Sequence, residues 1–136
     1  MKMLRYISFL LTLTLFSFVT ASQEASTQAL SNIELSYTYS TGNAVTLTIK
    51  GGKLGYLWTA GTNKGNGVKD LHYNSWKIAN SIYLVSWHDP ENKNFVSLTF
   101  NLNTMKEYGT ALIAYGTPNE VTLFDEARIN TVKWLE

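Results

Sequence analysis

Ile82 to Leu102 reads IYLVSWHDPENKNFVSLTFNL, an aromatic-rich run that meets His88-Asp89-Pro90, crosses a polar loop and continues as a second apolar run. In an extended chain Tyr83, Val85, Trp87 and Asp89 share one face, while Ile82, Leu84, Ser86 and His88 share the other. If the face carrying Trp87 points inward, Asp89 stands at the rim of the interior. Partial desolvation there raises a carboxyl pKa and suits the group to bind a ligand donor or to pass a proton. Asp-Pro is also a common turn opening, so capping of the loop is the plainer role for Asp89. Ser86, His88 and Asp89 form no triad, because neighbours on a strand diverge to opposite faces.

Other chemistry-bearing residues are sparse. His72 and His88 are the two histidines and cysteine is absent, so a zinc site would need both histidines plus carboxylates such as Asp70 or Asp89, and no metal is expected. Gly65-Asn66-Gly67 lacks the rest of any phosphate-loop or dinucleotide pattern. The aromatic set Tyr37, Tyr39, Tyr56, Trp58, Trp76, Tyr83 and Trp87 could line a pocket for a planar or apolar ligand. The same rings could instead fill a small interior completely.

The elements that would position these residues are strands. In Ile33–Ser40, Ile33, Leu35, Tyr37 and Tyr39 alternate with Glu34, Ser36 and Thr38, the period-two pattern of a half-buried strand. Thr41-Gly42-Asn43 turns the chain. Val45, Leu47 and Ile49 alternate with Thr46, Thr48 and Lys50, Gly51-Gly52 turns again, and Leu54, Tyr56 and Trp58 continue the pattern. The glycine- and asparagine-rich stretch 60–70 is expected to be a long loop ending near Val68. Further strands are expected at about Leu71–Ile78, Ile82–His88, Phe95–Leu102, Tyr108–Tyr115 and Val121–Phe124. One helical turn within 125–134 could precede a last strand through Ile129–Trp134. Short, evenly spaced strands describe an all-β fold, a single antiparallel meander β-barrel of about eight strands that closes and so removes its edges. With 136 residues, 45% of them hydrophobic, the chain has material for one core.

The N-terminus reads as a secretory signal peptide over residues 1–21, with a basic start at Lys2 and Arg5, an apolar run from Leu10 to Val19 and a small residue at Ala21. Thr12, Thr14 and Ser17 interrupt that run, which falls short of the roughly 20 apolar residues of a bilayer span, so no stable membrane anchor is expected. Residues 22–32 are small and polar and are expected to form a flexible leader before a domain at 33–136. The expected location is secreted or periplasmic. Removing Lys2 and Arg5 leaves nine basic and ten acidic residues, a near balance that suggests no nucleic-acid partner. Self-association as a homodimer stays open.

Ile82–Pro90 followed by a polar loop and Phe95–Leu102 resembles the signature of the lipocalin-like phenolic acid decarboxylases and of the related MoaF-like family, both small calycin-type barrels. The pattern is an aromatic strand ending Ser-Trp-x-Glu-Pro, a short turn and a strand of the form Val-x-Leu-x-Phe. Tyr37-Thr38-Tyr39 is similar to the decarboxylases' tyrosine pair. The resemblance spans about Leu35 to Tyr115. It implies that Tyr37 and Tyr39, with an arginine, hold a substrate carboxylate, that Asp89 takes the place of a glutamate exchanging a proton with a para-phenol, and that no cofactor is used. The arginine's place falls at about Asn66, and asparagine supplies no fixed positive fork for a carboxylate. Lys64 or Lys69 would offer only a point charge from the same loop. That departure and the secretory signal point to the MoaF-like branch.

Three functions of different class follow from these residues. The first is a binding barrel for a small aromatic or apolar molecule, with Tyr37, Tyr39, Tyr56, Trp58, Asn66, Trp87 and Asp89 as contacts. The second is a cofactor-free carboxy-lyase on hydroxycinnamate-like acids, with Asp89, Tyr37 and Tyr39 as its catalytic residues. The third is a protein-interaction barrel without ligand, which an exposed apolar patch would mark.

Overall fold

The computed structural model describes residues 28–136. The expected signal peptide and most of the expected leader lie outside the described residues. Nine strands follow: β1 (Ile33–Tyr39), β2 (Ala44–Lys50), β3 (Lys53–Ala60), β4 (Gly67–Leu71), β5 (Tyr73–Ala79), β6 (Ile82–Asp89), β7 (Asn94–Asn101), β8 (Lys106–Ile113) and β9 (Val121–Trp134). They form one antiparallel sheet in the order β4-β3-β2-β1-β9-β8-β7-β6-β5, curled into a half-barrel of calycin type. The first and last strands pair at its centre. The two edges, β4 and β5, are consecutive in the chain and separated only by His72.

The alternation seen in the sequence is the alternation of burial. Ile33, Leu35 and Tyr37 of β1 and Val45, Leu47 and Ile49 of β2 are buried on the concave face with Leu54, Val85, Trp87, Leu98, Phe100 and Ile129. Polar partners such as Ser36 and Thr46 face outward and hydrogen-bond each other at 3.0 Å.

Three expectations are corrected. Stretch 60–70 is a tight turn followed by β4, which pairs with β3 through Leu57↔Gly67, Tyr56↔Val68 and Leu54↔Leu71. Gly67 permits that pairing, since a Cβ there would lie 2.5 Å from the Tyr56 carbonyl oxygen. Residues 121–134 are one extended strand with no helical turn, and a bulge opposite Ser36 and Tyr37 absorbs the break in pattern. The ordered domain also starts before Ile33. Leu30 is fully buried, its N–H donates to Ser75 Oγ at 2.8 Å, and its carbonyl accepts from the Tyr73 hydroxyl at 3.1 Å. Residues 28–30 thus belong to the core packing and not to a flexible leader.

Candidate functional site

The sheet order sets a row of side chains on the concave face. Phe100 of β7 lies opposite Glu107 of β8, Glu107 opposite Ala127 of β9, and Ala127 opposite Tyr39 of β1. Residues directly opposite on paired strands share a face. Because position 127 carries only a methyl group, Glu107 and Tyr39 can approach each other above it.

Glu107 is fully buried, and neither carboxyl oxygen has a hydrogen-bond partner among the described residues. Burial, and then the charge of Asp125, push its carboxyl from the ordinary 4.5 up to about 8, so it is mainly protonated at neutral pH. Tyr37 is 2% exposed, and its hydroxyl is raised by burial and then by Tyr39 and Glu107. Burial and then Glu107 likewise raise Tyr39. The Tyr37 ring meets Tyr39 and Phe100 edge-on, each at 5.7 Å between centroids, and Tyr39 lies 6.2 Å from Trp58.

Beyond Glu107 the concave face opens. On β8 the inward row continues through Gly109, Ala111 and Ile113, opposite Asp125, Leu123 and Val121 of β9. Leu123 is 49% and Val121 45% exposed although their register turns them inward. β1 ends at Tyr39 and pairs with β9 only from Ala127 onward, so residues 121–126 have a strand on one side alone. The result is a half-covered trough along Ala111, Ile113, Leu123 and Val121, which ends at the fully buried Glu107. A Cβ at Gly109 would lie 2.6 Å from Glu107 Oε1 and 2.7 Å from Leu98 Cδ2, so the absence of a side chain there admits the carboxyl group.

Asp89 lies elsewhere in the same interior. It is 2% exposed, and its oxygens accept from the Asn92 backbone N–H at 3.2 Å and the Asn92 side-chain amide at 2.7 Å. The capping role is therefore present. Its charge also raises the Tyr56 hydroxyl, after burial, and Tyr56 packs against Trp87 at 6.0 Å. A cleft of about 590 Å³ at the seam of β4, β5 and β6 reaches Trp87 and Asp89, with Asp70, His72 and Asn74 on its walls. Trp87 Nε1 and Asn74 Oδ1 are buried there with no hydrogen-bond partner among the described residues.

Of the residues singled out in the sequence, Tyr37, Tyr39, Tyr56, Trp58, Trp87 and Asp89 turn toward one interior. The carboxylate that acts on both first-strand tyrosines is nevertheless Glu107, while Asp89 acts on Tyr56. Asn66 sits exposed in the turn before β4, its N–H bonded to the Asn63 carbonyl at 3.0 Å and its own carbonyl accepting from Trp58 N. It is not at the tyrosines. His72 contacts Lys53 at 3.0 Å and His88 contacts the Tyr115 hydroxyl at 2.6 Å, so the two histidines serve different places.

Glu107 escaped the sequence reading because Lys106 beside it gives the segment the look of a solvated turn. The signal that could have found it is hairpin register. Closing β7 onto β8 with Asn101 opposite Lys106 puts Glu107 across from Phe100, an inward residue.

Residues 28–134 match the family model described as phenolic acid decarboxylase. No curated protein matches the chain. Among solved structures, one described as "a putative beta-lactamase from Burkholderia vietnamiensis" superposes with a TM-score of 0.65 at 11% identity, covering 82% of this chain and 100% of that one. At that identity the likeness is one of fold. The family match takes in all nine strands and both the tyrosine pair and the Ser-Trp-His-Asp-Pro stretch, and the chain belongs to the phenolic acid decarboxylase family.

Proposed function

We propose that the protein is an exported half-barrel that binds a small aromatic molecule on its concave face. The trough along Ala111 and Ile113, bordered by Leu123 and Val96, offers an apolar surface with the Glu107 carboxyl at one end. Export is supported by the basic start, apolar run and small residue of positions 1–21. The observation that carries the binding reading is the kind of charge beside the tyrosines. Glu107 raises both hydroxyls, and no lysine or arginine among the described residues is buried. A hydroxycinnamate carboxylate brought there would lose its hydration and meet a carboxyl group in place of a cation. Titrating the protein with 4-ethylphenol while following tryptophan fluorescence tests this reading. Saturable quenching supports it, and a flat titration to millimolar concentrations refutes it.

A second reading is favoured by family membership together with the buried Tyr37–Tyr39 pair. In it the tyrosines grip a hydroxycinnamate carboxylate and an interior carboxyl group exchanges the proton. Incubation with p-coumarate or ferulate decides between the two. Formation of the vinylphenol would establish the lyase, whereas intact acid after a long incubation leaves binding alone.

A further inference from the structure

We infer that the occupant of this concave face is a small aromatic amine, its ammonium group seated on Glu107 between Tyr37 and Tyr39 and its ring lying along the trough toward Leu123. The inference rests on the binding reading above and specifies its ligand class. A buried carboxyl with both oxygens unpartnered is rare in folded proteins, because each unmade hydrogen bond costs desolvation that nothing returns. Whether Glu107 is protonated or ionised, at least one of its oxygens only accepts, so the missing partner must include a hydrogen-bond donor.

The surroundings select a cation over a neutral donor. The charged and titratable groups acting on Glu107 and on the tyrosines are Asp125 from β9, Tyr56 from β3, and Tyr37 and Tyr39 from β1, which hydrogen-bond each other, while β7 presents Phe100 and Leu98. Two carboxyl groups with no opposing cation hold a negative potential once ionised. Tyr39 and Trp58, 6.2 Å apart, add the electron-rich ring faces that attract an ammonium group. An aromatic acid has the opposite charge pattern. A protonated Glu107 that meets an ammonium ion gives its proton to solvent and becomes the counter-ion, so the ligand binds with proton release.

Calorimetric titration of the protein with three probes of one shape tests this: tyramine, 4-ethylphenol and 3-(4-hydroxyphenyl)propionate. The expected order has tyramine at least about tenfold tighter than 4-ethylphenol, the scale of one buried charge-assisted pair, with the acid weakest. Runs at pH 7 in buffers of differing ionisation enthalpy should show the release of close to one proton with tyramine and none with 4-ethylphenol. In E107Q the tyramine preference should collapse to within about threefold and the proton release should vanish. If 4-ethylphenol binds at least as well as tyramine, or the acid binds best, the amine assignment falls while the binding reading stands. If no probe binds, both fall. Tyramine preference that survives E107Q, or comes without proton release, would remove Glu107 as the seat and overturn the inference.

Discussion

Glu107 and Tyr39 stand on either side of Ala127 in one row of the concave face, one on β8 and the other on β1 with β9 between them, and the charge of Glu107 raises the Tyr39 hydroxyl. The row brings together residues 68 positions apart in the chain and puts a carboxyl group, normally a surface residue, at the end of an aromatic interior.

Stability should fall as pH rises through the Glu107 titration. The folded protein holds this proton up to about pH 8, whereas the unfolded chain releases it near the ordinary 4.5. The contribution of Glu107 is thus fully present below about 4.5, declines by up to about 1.4 kcal/mol per pH unit between the two values, and levels off above the higher one. Urea unfolding from pH 5 to pH 9 should show this decline, and E107Q should flatten it. A wild-type profile as flat as the variant's would rule out the raised carboxyl.

Gly109→Ala should disturb the same group without breaking the fold. The new methyl would press on Glu107 Oε1 and Leu98 Cδ2, both ends of flexible side chains. A cost of about 1 kcal/mol is expected, along with a shift in the pH at which the urea midpoint levels off. An unaltered pH profile would mean that the carboxyl does not pack over Gly109.

Asn92→Ala removes the side-chain amide that donates to Asp89 Oδ2 at 2.7 Å and keeps the backbone N–H that donates to Oδ1. Asp89 is 2% exposed, so an acceptor left unsatisfied there should cost about 1–3 kcal/mol. Chemical denaturation gives the number. A loss below a few tenths would show that water replaces the amide and that Asp89 is more open than its burial indicates.

Leu30→Ala tests where the domain begins. Leu30 is fully buried against Tyr73 and Ser75, and truncation of such a leucine should cost about 2–5 kcal/mol. A thermal midpoint within a degree of wild type would return residues 28–32 to the status of a loose leader.

The period-two alternation of Ile33–Tyr39, Ala44–Lys50 and Ile82–Asp89 determined by itself that these segments are strands, that Tyr37 shares a face with Tyr39 and that Trp87 shares one with Asp89. Facing is a local consequence of an extended backbone and needs no partner strand. The Asp89 turn was equally local, since its acceptors reach only three residues along. Burial of Glu107 was decided by tertiary structure, because it depends on register with Phe100 and Ala127 and on β9 lying between β1 and β8. Strand β4, too, exists only through pairing, its glycine-rich sequence having little apolar alternation to announce it. Which carboxyl group meets the tyrosines is therefore a property of sheet order: neighbours across a sheet are set by long-range pairing, and the local pattern carries no record of it.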